Sequence, residues 1–409
     1  MTSIAVTGLG LATPIGLGHE TVWPALLSGR SGFRPVALFD TSRHGTHLGA
    51  EVQDFDPAAW VRRLPVSSMG RASHLAIAAS RMALADAGID PEKLSEREAE
   101  SVGVTMGTTS GEPLEIERMS DLMVGDRLDE LKGELAGRYP CHLIAAHVAS
   151  ELRFSGPNQM IPTACAAGNY AIAFAVEALL AGRADLMIAG GADSFSRMTY
   201  TGFGKLGAIA PDLVRPFARN RKGMIPGEGS GVLVLERTES ALSRGARIYA
   251  EVAGYGLTCD AHHMTAAHPE GDGPARAMER ALRTSGLSAQ DVSYVSAHGT
   301  GTPTNDKLET LAVHRVFGRQ TMVPISSIKS MIGHTMGAAS AIEAAVCSLA
   351  IHEGWIPPTM NYDEPDPECD LDCVPNRARQ MRVDVAMNNA YAFGGNNASV
   401  IFRRSHASA

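Results

Sequence analysis

Thr163-Ala164-Cys165-Ala166-Ala167-Gly168-Asn169-Tyr170 lies between two segments of opposite character. Before it, Gln159-Met160-Ile161-Pro162 closes an extended, partly apolar run. After it, small and aliphatic residues recur at helical spacing, with Ile172, Val176, Leu179 and Leu180 on one face. That helix is expected to end near Gly182, a residue suited to the left-handed position after a helix. Cys165 therefore falls at a strand-to-helix junction. There the unpaired N–H groups and the helix dipole favour an anion, so a thiol is expected to ionise more easily. A lone cysteine in an Ala-rich run is more often a buried structural residue, so a reactive reading needs support from elsewhere in the chain.

The chain has 409 residues, 44% of them hydrophobic and 20% charged, which gives room for one large core or two merged ones. A formal net charge of −8 gives no support for nucleic-acid binding. The start, Met1-Thr2-Ser3-Ile4, lacks the basic and apolar regions of a signal peptide, and no apolar stretch approaches the ~18 residues of a membrane span. A cytoplasmic enzyme with no membrane association is the expectation. Cys141, Cys165, Cys259, Cys347, Cys369 and Cys373 show no disulfide framework. Cys369 and Cys373 sit in an acidic loop without the further Cys or His ligands that zinc requires, so no metal site is expected.

Short apolar runs read as strands at 4–7, 102–105, 186–189, 231–235, 249–253, 292–296, 386–388 and 399–402. Helical patterns at 72–87 and 273–285 lie between some of them, and the alternation argues an α/β class. The chain also repeats itself. Ile4-Ala5-Val6-Thr7-Gly8-Leu9-Gly10-Leu11 is echoed by Ala250-Glu251-Val252-Ala253-Gly254-Tyr255-Gly256-Leu257, and the run at 231–237 by the run at 398–404. Between these bookends, Cys165-x-x-Gly168 and His334-x-x-Gly337 each open an Ala-rich helix, and the two motifs stand 169 residues apart. Two similar halves, 1–245 and 246–409, are expected to bring Cys165 and His334 together near a pseudo-two-fold axis from equivalent helix starts. The charged segment 111–140, with Leu122, Leu128 and Leu131 at helix-like spacing, fits the repeat badly and reads as an insertion capping the first half.

Three later stretches have the texture of a site. Ser296-Ala297-His298-Gly299-Thr300-Gly301-Thr302-Pro303 puts a histidine and two hydroxyls on a tight glycine loop after a strand. Lys329-Ser330-Met331-Ile332-Gly333-His334 puts a lysine five residues before a histidine at a helix start. Ala392-Phe393-Gly394-Gly395-Asn396-Asn397 is a glycine turn before the last strand. Two histidines in glycine turns plus a helix-start cysteine form a far rarer combination than any one of them alone.

With these motifs the sequence resembles the β-ketoacyl-acyl-carrier-protein synthases, the elongating Cys-His-His condensing enzymes of fatty-acid and type II polyketide synthesis, from about residue 3 to 404. Arg215-Pro216-Phe217, Gly227-Glu228-Gly229, Pro357-Pro358-Thr359 and Pro365-Asp366-Pro367-Glu368 add to the match. The resemblance implies a thiolase-like fold with a duplicated five-layer αβαβα core. It implies decarboxylative Claisen condensation of a Cys165-bound acyl group with a malonyl group on acyl carrier protein, giving β-ketoacyl carrier protein and CO2. It implies backbone oxyanion donors at Cys165 and Phe393, enolate donors at His298 and His334, an organising lysine at Lys329, and Glu309 as carboxylate partner of His298. Glu343 matches a nearby structural carboxylate. Thr300 and Thr302 match hydroxyls that hold the pantetheine amides, while Met224, Gly394 and Gly395 border the substrate. No tightly bound cofactor is expected, since the phosphopantetheine arm comes with the acyl- or malonyl-loaded carrier protein.

The resemblance also implies a dimer in which Phe154-Ser155-Gly156-Pro157-Asn158-Gln159-Met160-Ile161-Pro162 pairs with its twin. The second subunit is a copy of the chain or a chain-length-factor-like paralogue. This chain departs from the family's usual spelling at Ala218, Asn220, Lys222 and Met224 and in Ala390-Tyr391-Ala392-Phe393, which border the acyl pocket and its gate. A type II polyketide, polyene or specialised fatty-acid pathway is the expectation, with housekeeping fatty-acid elongation as the alternative. A non-catalytic chain-length-factor-like subunit lacks the nucleophile, and Cys165 argues against it. A thiolase uses a second cysteine as base, and no second Cys stands in a corresponding glycine turn.

Overall fold

Residues 3–405 are described by the computed structural model. The first half runs β1 (Ile4–Thr13), α1 (Arg71–Asp86), β2 (Val102–Gly107), α2 (Pro113–Val124), α3 (Leu143–Leu152), β3 (Asn158–Ile161), α4 (Ala167–Leu180), β4 (Leu186–Asp193), α5 (Arg197–Lys205) and β5 (Gly229–Arg237). The second runs β6 (Ala250–Cys259), α6 (Asp272–Ser285), β7 (Tyr294–Ser296), α7 (Pro303–Phe317), β8 (Ile325–Ser326), α8 (Ala339–Glu353), β9 (Val385–Tyr391) and β10 (Asn396–Arg403). Each of the eight apolar runs overlaps one of these strands, because strands buried on both faces read as continuous aliphatic stretches.

The strands form one sheet in the order β3-β2-β4-β5-β1-β6-β10-β9-β7-β8, with the short Gly16–Leu17 strand paired to β1. Read outward from the centre, each half has the same sequence of its own first, fifth, fourth, second and third strands. The pairing senses repeat as well: β2 is parallel to β3 and β4, β7 is parallel to β8 and β9, and the remaining neighbours within each half are antiparallel. The halves meet where β1 and β6 run antiparallel, with Ile4 opposite Val252 and Val6 opposite Ala250.

Helices complete five layers. α1 and α3 cover the outer face of the first half, α6 and α7 that of the second, and α4 packs against α8 between them. α8 is buried from Ala339 to Ile351 with no polar face, as a helix enclosed on all sides must be. Small side chains let the central pair approach closely. A Cβ on Gly168 would lie 2.5 Å from the Ala341 amide nitrogen and 2.7 Å from the Ala341 Cβ.

The repeat is real in topology but the sequence alignment of the two central helices is off by three residues. α4 and α8 begin at Ala167 and Ala339, which are 172 residues apart. Each is preceded by a single 3-10 turn that opens on a left-handed residue, Ala164 at φ 50° and Met336 at φ 53°. Cys165 therefore sits inside its turn, whereas His334 stands two residues ahead of the matching one. Leu180 also departs from the buried face predicted by its spacing: it ends α4 with 52% of its surface exposed.

Segment 111–140 forms α2, a 3-10 turn at Leu128–Glu130 and a short helix at Gly133–Ala136. α2 packs against α5, and its buried Glu115 pairs with Arg118 and Arg138. Met123, Val124 and Leu128 remain exposed. No helix among the described residues is long and apolar enough to cross a membrane.

The Gly168 contact yields a direct test of the central packing. Gly168→Ala should force α4 and α8 apart and lower the unfolding free energy by about 1–3 kcal/mol. A denaturation midpoint equal to that of the parent would contradict the close approach.

Candidate active site

β3 delivers the chain to the 3-10 turn Ala164–Ala166, and the left-handed Ala164 sets the direction in which Cys165 leaves it. A non-glycine residue held there carries strain of order 1–3 kcal/mol, which the packed helix pair must offset. Cys165 is 7% exposed. Burial pushes its thiol up to about 12, with Lys329 pulling the other way and Asp193 adding to the rise. The acidified thiol expected from a helix N-terminus is thus corrected: loss of water around the sulfur outweighs the favourable field.

His298 follows β7 and His334 precedes α8, and both are buried. Their rings stand 5.6 Å apart at an interplanar angle of 81°. Burial is the main cause that holds both imidazoles well below the usual histidine range, and the neighbouring Lys329 reinforces it. The Met336 amide donates to His334 Nδ1 at 3.2 Å, so the ring proton resides on Nε2 and can be donated from there. Glu309 is buried, which rules out a surface role, but it does not act on the imidazole. It accepts from the backbone N–H groups of His298 and Gly299, each at 2.8 Å, and so fixes the loop rather than the ring. Its carboxyl is raised to about 7 by burial.

Lys329 is 1% exposed and its ammonium pairs with Glu343. Glu343 is a structural carboxylate beside the site, as the resemblance implies. It is buried, and desolvation lifts it to about 7 against the pull of Lys329.

Cys165, His298 and His334 line one cavity of about 380 Å3. Met224, Thr300, Thr302, Phe393 and Gly395 line it too, as the sequence suggests. The Thr300 and Thr302 hydroxyls lie 2.9 Å apart. Gly394 is not among the lining residues: its amide donates to the Met264 carbonyl at 2.8 Å. Phe393 is 39% exposed and lies against Phe203, with ring centroids 5.7 Å apart.

Two positioning groups escape the sequence analysis. Asp193, buried at the end of β4, accepts from the Thr108 hydroxyl and from the amides of Thr109, Ser110 and Gly337. It thereby fastens the loop after β2 to the turn before α8, and burial raises it to about 6. A single carboxylate closing the run Ala189-Gly190-Gly191-Ala192 is a signal that could have been read. The second group joins the two halves. Asn169 on α4 and Asn388 on β9 exchange hydrogen bonds, and Ser340 on α8 accepts from the Asn169 amide and from the Asn388 side chain. Nothing in the spacing of these residues marks them as partners.

The family model "Beta-ketoacyl synthase, N-terminal domain" matches residues 1–241, and "Beta-ketoacyl synthase, C-terminal domain" matches residues 249–363. A 3-oxoacyl-[acyl-carrier-protein] synthase 2 of Synechocystis is 40% identical over 409 residues, covering 98% of both chains. A tetracenomycin polyketide synthase ketoacyl synthase alpha subunit of Streptomyces glaucescens is 38% identical, covering 98% of this chain and 97% of its own. Among solved structures, the ishigamide ketosynthase/chain length factor superposes with a TM-score of 0.95 at 43% identity, over 99% of each chain. With a buried cysteine and two neutral histidines facing one cavity inside a duplicated thiolase-like fold, the chain belongs to the beta-ketoacyl synthase family.

Proposed function

We propose that this ketosynthase joins a Cys165-bound acyl group to a malonyl group on acyl carrier protein by decarboxylative Claisen condensation. The observation that carries the reading is the convergence of Cys165, His298 and His334 on one buried cavity with both imidazoles neutral. Cys165 Sγ attacks the carbonyl of an acyl thioester, and the carrier thiol leaves with the proton. The tetrahedral oxyanion is met by backbone N–H groups, for which Cys165 and Phe393 are the candidates. The malonyl thioester then loses its carboxylate as CO2, and the electron pair of the broken bond passes into an enolate. Neutral N–H donors at His298 and His334 stabilise that enolate without giving it a full proton, which keeps its carbon nucleophilic. The carbon attacks the acyl-cysteine carbonyl, the Cys165 thiolate departs, and a proton from solvent returns it to the thiol. Lys329, paired with Glu343, lends positive potential to the thiolate it faces. Thr300 and Thr302 receive the pantetheine arm, and Met224 and Gly395 line the same cavity. No resident cofactor has a part in these steps.

The halves 1–245 and 246–409 supply the nucleophile and the two histidines, respectively. We assign the chain to a type II polyketide or specialised fatty-acid system, supported by its likeness to the ketosynthase/chain length factor structure. Among the described residues β3 ends the sheet and pairs only with β2, and Asn158 and Gln159 on it are exposed. Such an edge invites pairing, so a second copy or a chain-length-factor-like paralogue is assigned to it.

Acyl loading needs the sulfur and the oxyanion donors, whereas decarboxylation needs the imidazoles. His298→Ala and His334→Ala should therefore retain mass-detectable acylation of Cys165 while losing condensation by about 100-fold or more. Condensation at the parental rate in either variant would remove that histidine from the mechanism.

A thiol held near 12 also has a kinetic signature. Alkylation of Cys165 by iodoacetamide should rise about tenfold per pH unit from pH 7 to 9. The exposed Cys259 must be followed as a separate peptide. A plateau below pH 8 for Cys165 would mean that the pocket acidifies the sulfur after all.

For assembly, light scattering beside a condensation assay should show a dimer as the active species. Replacing Met160, whose backbone faces away from β2, by proline should dissociate it and lower activity together with the dimer fraction. A fully active monomer at assay concentration would refute the edge assignment.

A further inference from the structure

The two histidines of the site are not held alike. His334 has its Nδ1 fixed by the Met336 amide, which commits its proton to Nε2. His298 Nδ1 is buried, and among the described residues no protein group is within hydrogen-bond reach of it. Glu309, which sits under the same loop, is engaged with backbone amides. A ring with one unheld nitrogen exchanges tautomers, and a buried unsatisfied nitrogen costs about 1–3 kcal/mol.

A second orphan lies beside it. The Tyr391 hydroxyl is also buried without a protein partner. Its ring packs edge-on against His298, with centroids 5.6 Å apart and an interplanar angle of 62°, and Tyr391 lines the same cavity. Tyr391 closes β9, so its backbone is fixed by the ladder to β10 and its ring by the buried contact. Two unsatisfied polar atoms on adjoining rings, at a cavity to which Thr300, Thr302 and Asn397 also bring polar groups, are a setting in which one bridging water satisfies both.

We infer that Tyr391 is a positioning residue that fixes the tautomer of His298 through one bridging water. The phenol donates to the water and the water donates to His298 Nδ1, so Nε2 carries the ring proton. Tyr391 thus does for His298 what the Met336 amide does for His334, and both imidazoles offer an N–H to the thioester oxygen. The phenol suits the task because burial keeps it protonated far beyond neutral pH. The inference rests on the proposed role of His298 as an enolate donor.

Tyr391→Phe keeps the ring and removes only the oxygen. The test reads two half-reactions and one spectrum, with the parent protein run in parallel. Cys165 acylation by an acyl thioester should stay within about twofold of the parent. Condensation should lose about three- to tenfold in kcat with KM for malonyl carrier protein unchanged, the size expected for one neutral hydrogen bond. The 15N spectrum of histidine-labelled resting protein should show one His298 tautomer in the parent and a mixture in the variant. A parent spectrum already mixed, or a single tautomer in both proteins, would overturn the inference, as would unchanged kcat. Loss of acylation together with condensation would assign Tyr391 a structural role, and a rise in KM alone would assign its hydroxyl to the malonyl carboxylate. Either result would also overturn it. If His298→Ala condensed normally, the failure would lie with the role of His298, not with Tyr391.

Discussion

The approach of α4 to α8 is the contact on which the other features depend. It is made by Gly168 against Ala341, and by Asn169, Ser340 and Asn388 exchanging hydrogen bonds across it. α4 carries Cys165 just ahead of its first turn, and α8 carries His334 just ahead of its own. Because the helices belong to different halves of the chain, no local interaction can set the distance between sulfur and imidazole. The helix contact, the β1–β6 seam and the bond from the Gly337 amide to Asp193 do so together. A directional buried amide network specifies one arrangement where an all-Ala contact would slide.

Burial then governs the electrostatics. The same packing that aligns the groups removes water from them, so the thiol is raised, both histidines are lowered, and Glu309 and Glu343 stand near neutrality. Asp193 shows how a buried carboxylate is tolerated: four hydrogen bonds from two separate loops replace its hydration. Lys329 and Glu343 do it by pairing. The resulting site holds its charge in fixed internal partners and presents neutral donors to the cavity. That arrangement suits a reaction in which negative charge appears only in transit.

How much of this was legible depends on what each feature writes into the sequence. Doubly buried strands write aliphatic runs, so eight strands and the duplicated order were open to reading. The residue types of the site were readable too, because Cys165, His298 and His334 stand in glycine turns and together carry a family's motifs. The register of the central helices was not. Matching Cys165-x-x-Gly168 to His334-x-x-Gly337 compares letters, whereas the start of each helix is set by a left-handed residue, and Ala164 and Met336 carry no letter that announces it. Glu309 and Glu343 were placed at the site only by the family's motifs, and what each one holds, the loop amides and Lys329, appears only when tertiary structure encloses them. The helix-terminus argument for Cys165 failed for a related reason: a local field can be inferred from sequence, but desolvation is a property of the whole fold.

The departures from the family's usual spelling now separate into two kinds. Met224 is buried in the cavity wall, held by backbone bonds between its own amide and carbonyl and the 208–210 strand-like stretch, so a change there alters shape without adding a polar atom. Tyr391 alters chemistry, since it brings an oxygen to the flank of His298 in a place enclosed by protein. A buried hydroxyl without a partner is unfavourable by itself, and nothing in the packing of β9 requires one where a phenyl ring would fill the same space. Its presence is therefore better explained by what faces it than by what supports it. The group facing it is the one imidazole of the site whose orientation the protein leaves unfixed.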